Sequence, residues 1–523
     1  MKPLNDKSSE QIHENMYQRS VVAAGHELVC QAAADILGGG GNAFDAVVGA
    51  GFASAVAEQT LTSLGGGGFL LARTAESPAK EIFFDFFVDT PGQGLTRKVD
   101  PHFFPVTVDF GGSTQVFNIG LGSVAVPGIL KGLLHVHDRL GRMDLADVLQ
   151  PAIELARGHE LNEFQAGFLG LLKPIMTMTD YGRDLYAPHG RYCQAHDTLV
   201  NNDMADFLAS LPEDRGERFY RGDIARRIDA DMRAGQGLLT YEDLAGYRVI
   251  EKDPLRVGFR NHTLLTCPPP SMGGSLIGLS LALFDALEPA GSANGETEFL
   301  LTMTALMREV EALRAQGIHD PDALQRFLNG NRIDDSLERI RLFSRGTTHI
   351  SISDREGNMA SMTCSNGEGS GYFAPGTGIM LNNMMGEDDL HPDGFHSAPA
   401  GERVGSMMSP SVLLHGDKPR LVLGSGGSKR IRTAITQVLI RILDYGQSVQ
   451  EAVCSPRIHW DGEVLQMEPG FSAQEVAALK EKIPVNIWQE QSMYFGGVHV
   501  VVPGEEGAGD PRRGGSVVVV EET

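Results

Sequence analysis

An α+β fold is predicted by three features of the sequence. Helical periodicity comes in blocks that flank β-rich blocks, without the strand-helix alternation of a parallel sheet. Thr347 to Ser365 reads as two alternating strands around the polar break Asp354-Arg355-Glu356-Gly357-Asn358. No Pro/Ser-rich linker or charge run divides the 523 residues, which points to one large globular body.

Taken in order, Met1 to Ser20 is a polar tail, Ser20 to Ala24 a short strand and Glu27 to Leu37 a helix ending in Gly38 to Gly41. Asn42 is placed to cap a second helix, Ala43 to Ala57, whose Ala, Val and Gly suit close packing under a sheet. Gly65 to Gly68 runs into the strand Phe69 to Arg73, the reverse of the strand-to-helix order of a dinucleotide site, so tight backbone packing is the better reading. Glu81 to Phe87 is another strand, Phe103 to Gly122 is aromatic and Gly-rich, and Pro127 to about Thr297 reads as mostly helical. His135 and His137 point apart in a helical pattern, and no further ligands stand at suitable spacing, so no metal is expected. Glu298 to Gln316 and Asp322 to Leu328 read as helices. Beyond the hairpin, Val412 to Leu414, Arg420 to Leu423, Val498 to Val502 and Ser516 to Val520 are strand-like, and Lys429 to Tyr445 is helical.

If Arg355, Glu356 and Gly357 close the hairpin with Gly357 in the left-handed region, Thr347 lies opposite Ser365. Two facing hydroxyls, with Gly346 just before the first, suit an amide-cleaving nucleophile that first acts on its own backbone. A Thr hydroxyl needs a nearby base. Cutting Gly346-Thr347 creates an α-amine with an ordinary pKa of about 7.7 to 8.0, so one residue supplies nucleophile and proton acceptor. Gly346 has no side chain to block attack on its carbonyl. Met alone, Gly-Thr-Thr-His is more often an ordinary polar hairpin.

The string Thr347-Thr348-His349-Ile350-Ser351-Ile352-Ser353-Asp354-Arg355-Glu356-Gly357-Asn358 resembles the start of the small subunit in the γ-glutamyltranspeptidase family of N-terminal-nucleophile hydrolases. Val21 to Ala24, Gly40 to Ala46, Gly65 to Leu71, Val126-Pro127-Gly128, Tyr241 to Leu244 and Pro268 to Gly274 resemble the large subunit in order. Leu381-Asn382-Asn383, Met408-Ser409-Pro410, Gly424 to Ser428 and Asp510 to Arg513 extend the resemblance over nearly the whole chain. It implies a four-layer αββα sandwich and self-cleavage into Met1 to Gly346 and Thr347 to Thr523, held as a heterodimer. It further implies acyl transfer or hydrolysis of γ-glutamyl amides such as glutathione through an ester on Thr347, with no cofactor.

On this resemblance Ser365 replaces the family's usual Thr as partner of the Thr347 hydroxyl, His349 is structural support, and Gly426 and Gly427 form the oxyanion hole. The family's extra Pro in that loop is absent. Substrate contacts are carried over to Asn366, Asn383, Glu387, Asp388 and Ser406, but the family's carboxylate-binding Arg is Phe87 here, and polar partners become Met384 and Met407. A buried carboxylate without a partner is costly. Either the acyl group is more apolar, with Phe87, Met384 and Met407 lining its pocket, or Lys429, Arg430 or Arg403 takes over the carboxylate. Glutaryl amides are an alternative substrate, and an uncleaved small-molecule binder an alternative of another class. Asp389 to Gly401 reads as a loop over the pocket or a plain surface loop.

The net charge of −23 argues against nucleic-acid or anionic-membrane partners. The polar N-terminus carries no secretory core as written, so a cytoplasmic protein is expected, or an exported one if the sequence has been trimmed. The 5 cysteines are scattered and imply neither disulfides nor a zinc site; alternation turns Cys364 away from Ser365.

Overall fold

A computed structural model describes residues 17–109, 114–287, 295–315, 346–391 and 394–521. The helix expected at Asp322 to Leu328 and most of the N-terminal tail lie outside them. The hairpin of Thr348–Ser353 and Met359–Ser365 sits in the middle of a 7-stranded sheet. Its register pairs Thr348 with Cys364 and His349 with Thr363, which continues to Thr347 opposite Ser365. Ser20–Ala24 pairs on one side of the hairpin and Gly67–Arg73 on the other; Glu81–Phe86, Ile250–Lys252 and Ser516–Val520 complete the sheet. The chain before Gly346 and the chain after it are thus interleaved strand by strand.

The second sheet has 6 strands: Glu506–Ala508, Gly497–Val502, Lys418–Gly426, Ser411–His415, His262–Thr266 and Leu255–Phe259. The last two correct the mostly helical reading of Pro127 to Thr297: each is too short for a helix, and Arg260-Asn261 turns one back on the other. Phe104–Asp109 and Thr114–Ile119 form a separate hairpin in the aromatic stretch.

Helices cover both outer faces. Glu27–Gly38 and Ala43–Ala57 pack on the first sheet, and Met272–Leu287 and Arg430–Leu443 on the second, giving the four-layer αββα sandwich. Asn42 caps Ala43–Ala57 through its side-chain oxygen, which accepts from Phe44 and Asp45 N–H. Strand alternation sorts the cores: Val22, Ala24, Ile350, Ile352, Ala360 and Cys364 join the helical layer, whereas Val21, Ala23, Phe69 and Leu71 join the core shared with the other sheet.

The inward face of the hairpin is polar yet dry. Ser351 Oγ donates to His499 O at 3.1 Å, and Ser361 Oγ donates to Leu423 O and accepts from Ser411 N–H, both at 2.9 Å. Hydroxyls here stitch the two sheets together, which satisfies groups whose burial is otherwise costly. Replacing Ser361 by Ala leaves the buried Ser411 N–H without its acceptor; a loss of about 1–3 kcal/mol is expected in urea unfolding.

Candidate active site

Thr347 begins the central hairpin and is nearly buried, at 4% exposure. Its Oγ1 lies 3.5 Å from Ser365 Oγ, which donates at 2.6 Å to the carbonyl of Gly346 and accepts from Gly367 N–H at 3.1 Å. The bond expected to break therefore has its carbonyl polarised by the hydroxyl opposite the nucleophile. A Cβ on Gly346 would come within 2.3 Å of Gly367 O and 2.7 Å of Thr60 O, so a side chain has no room there.

The second sheet supplies the other wall. Lys418–Gly426 ends against Thr347, where a Cβ on Gly426 would meet Thr347 O at 2.4 Å. Gly427 takes a φ of 122°, and the chain turns into the helix Arg430–Leu443 with its N-terminal turn beside the nucleophile. Backbone N–H groups at such a start favour negative charge. Arg513 approaches from the C-terminal Asp-Pro-Arg-Arg turn and donates to Thr347 O at 3.0 Å.

A cleft of about 350 Å³, its open mouth included, leads to Thr347 and Ser365. Phe87, Met384, Leu390, Met407, Met408 and Ile431 supply its apolar lining, Ser406 and Ser428 its hydroxyls, and Glu387 its charge. No Arg or Lys lines it among the described residues. Phe87 stacks on Phe69, ring centres 5.3 Å apart, and its carbonyl accepts from Tyr247 Oη at 2.6 Å.

Several expected contacts lie elsewhere. Asn383 spends its amide on Glu368 N–H, at 2.9 Å, and on Asn118 O, so it braces the turn behind the cleft. Asn366 is buried in that turn, its N–H donating to Leu61 O, and Asp388 is exposed; none of the three lines the cleft. Arg403 is paired with Asp85 at 3.2 Å and Asp89 at 2.8 Å, and Arg430 lies over the Tyr494 ring and donates to Tyr494 O, so both are committed elsewhere. Lys429 is buried, with His459 among its neighbours, and is likewise outside the lining. Of the Asp389 to Gly401 loop, Leu390 reaches the cleft, and His391 bonds to Met384 O at 3.0 Å. His135 bonds to Glu251 and His137 to Met143 O, in different directions.

Arg513 and Glu58 are the residues that sequence reading passed over. The Asp-Pro-Arg-Arg string flagged the first without a role; nothing flagged Glu58, whose carboxylate meets Thr348 Oγ1 at 2.9 and 3.0 Å. Burial raises the Glu58 carboxyl to about 7, against the opposing effects of the Thr348 hydroxyl and Arg513. Burial, with neighbouring Arg430, brings Arg513 down to about 10. His349 is held well below its usual range by burial and by His499, and its two nitrogens are bonded to Thr363 Oγ1 and Ser351 Oγ, at 2.7 and 2.9 Å.

A sandwich of two sheets with a Thr at the head of a central strand, an oxygen-rich partner strand and a glycine wall defines an N-terminal-nucleophile hydrolase architecture. A family profile described as Gamma-glutamyltranspeptidase matches residues 30–520, and the chain is an enzyme of that family. The glutathione hydrolase proenzyme of Escherichia coli (strain K12) is 29% identical over 548 residues, 96% of this chain and 91% of its own. The acylase ACY 1 proenzyme of Pseudomonas sp. (strain SE83) is 30% identical over 493 residues, 89% of this chain and 87% of its own. Among solved structures, cephalosporin acylase from Bacillus halodurans superimposes with a TM-score of 0.79 at 25% identity, over 96% of each chain. No helix among the described residues is long and apolar enough to cross a membrane.

His499 is held near 4 by burial, below the ordinary His value of about 6.5, so the unfolded chain binds more protons than the folded one between these values. Stability therefore rises with pH through that window and is lost as pH falls from 6.5 toward 4. Chemical unfolding at pH 7 and pH 5 is expected to show this residue costing on the order of 2 kcal/mol at the lower pH. His499→Asn flattens that segment.

Proposed function

We propose that the chain splits itself between Gly346 and Thr347, and that the freed Thr347 is both nucleophile and base in amide hydrolysis or acyl transfer. Its hydroxyl oxygen attacks the Gly346 carbonyl, which Ser365 polarises; the peptide shifts to an ester, and water releases residues 1–346 from 347–523. The same hydroxyl then attacks a substrate amide, its proton passing to the α-amine and on to the leaving amine. Gly426 and Gly427, where the strand Lys418–Gly426 turns toward the helix Arg430–Leu443, hold the tetrahedral oxyanion. Water or an acceptor amine frees the acyl group. The two fragments remain a heterodimer because separating them means breaking the ladders on both sides of the hairpin.

The acyl group we assign is apolar near its far end and lacks an α-carboxylate. The observation that carries this is the cleft lining, which among the described residues offers apolar side chains, hydroxyls and the carboxylate of Glu387 but no Arg or Lys, where a bidentate Arg suits a substrate carboxylate. Proteins named as acylases stand among the relatives and neighbours beside the glutathione hydrolases. The second reading, γ-glutamyl amides such as glutathione, is favoured by Glu387, a carboxylate in the cleft wall fit to receive an α-ammonium, and by the glutathione hydrolase relative.

A denaturing gel is expected to show two fragments, the smaller beginning at Thr347, and a single band for Thr347→Ala. With matured enzyme, hexanoyl-p-nitroanilide is expected to turn over faster than either the glutaryl or the γ-glutamyl analogue. A preference for γ-glutamyl-p-nitroanilide selects the second reading. Phe87→Arg supplies the missing cation and is expected to raise kcat/KM for the γ-glutamyl substrate about tenfold or more, as one charge-assisted contact allows.

A further inference from the structure

Glu58 takes no part in the chemistry above, yet it reaches the reacting strand from the opposite face. It caps the C-terminus of Ala43–Ala57, where the helix dipole disfavours an anion, and it is 4% exposed. Both carboxylate oxygens meet the hydroxyl of Thr348, the residue next to the nucleophile. The turn it begins walls in the scissile peptide: Thr60 O and Leu61 Cα lie 2.7 and 3.3 Å from where a Gly346 Cβ would stand. Gly25 makes room for it, since a Cβ there would fall 2.5 Å from Glu58 Oε1 and 2.9 Å from Thr348 Oγ1. On the other side Arg513 holds Thr347 O, and Glu58 is among the charges that act on its guanidinium, with Arg430, Asp510 and Arg457.

We propose that Glu58 is a positioning residue that sets the charge of the Thr347 α-amine, its carboxylate offsetting the Arg513 cation from the far side of Thr348. This rests on the reading of Thr347 as nucleophile and base. The guanidinium opposes a second positive charge at the new chain end and so favours the neutral amine that can accept a proton; the carboxylate favours the ammonium. Among the described residues, the thiols of Cys30, on Glu27–Gly38, and Cys364, on Met359–Ser365, also feel the Glu58 charge, and both are pushed up by burial and neutral near pH 7. Arg513, with Arg430, Asp510 and Arg457 around it, and Glu58 thus place opposed charges on the two sides of this end of the strand. Glu58 itself ionises near neutrality, so its influence enters across the range in which the α-amine titrates.

The test is competitive labelling of the matured protein with acetic anhydride between pH 5 and 9, the peptide beginning at Thr347 being quantified by mass spectrometry. Loss of the carboxylate is expected to lower the labelling midpoint by on the order of one pH unit in Glu58→Gln. Thr348→Val removes the hydroxyl that stabilises the carboxylate, keeps Glu58 neutral to higher pH, and is expected to move the midpoint the same way by less. If Glu58→Gln does not fold, the Thr348→Val curve decides. Curves that superimpose on the parent enzyme overturn the proposal, as does a folded Glu58→Gln chain that never splits, which places Glu58 in the cleavage step instead. Absence of a Thr347 N-terminus from the parent enzyme itself overturns the reading of Thr347 and leaves a different mark from either result.

Discussion

The pairing of Thr347 against Ser365 is the constraint on which the site depends. It follows from the turn at Gly357 and from a ladder that continues to Thr348 and Cys364, and a slip of one residue would put Cys364 where Ser365 stands. Two further ladders hold the hairpin on either side, so the hydroxyl pair cannot drift without opening the middle of a 7-stranded sheet. Because those flanking strands precede Gly346, the ladders that align Thr347 with Ser365 also join the chain before that position to the chain after it.

Two dry layers meet at this hairpin, and they treat its side chains differently. Ile350 and Ile352 pack under Ala43–Ala57, while Ser351 and Ser361 knit the first sheet to the second. A polar stripe of this kind usually faces water. Here it is satisfied by hydroxyl-to-carbonyl bonds, which fix the distance between sheets and so the distance from Thr347 to the glycine wall at Gly426. His349 is buried and bonded at both nitrogens to hydroxyls of its own sheet, Thr363 and Ser351, and is poorly placed to take a proton from Thr347.

Charge is segregated around the nucleophile. Arg457 and Arg512, paired with Asp510 and Glu468, are buried behind it together with Arg430 and Arg513, while the cleft in front carries Glu387 among apolar side chains and hydroxyls. The Arg513 guanidinium behind the carbonyl of Thr347 opposes further positive charge there, and no Arg or Lys among the described residues lines the cleft.

Local sequence determined much that needs only neighbouring residues: the strand at Ser20–Ala24, the capped helix Ala43–Ala57, the hairpin and its register, and through it the Thr347 and Ser365 pair. Alternation and turn chemistry act within a few residues, so they can be read from the string. Tertiary structure alone decided the rest. The short strands Leu255–Phe259 and His262–Thr266 become an edge of the second sheet because partners far along the chain pair with them. Asn383 is turned to brace a loop and Arg403 is claimed by Asp85 and Asp89, choices that depend on which distant groups arrive first at each side chain. Glu58 meets Thr348 across 290 positions of sequence, a contact no local pattern encodes.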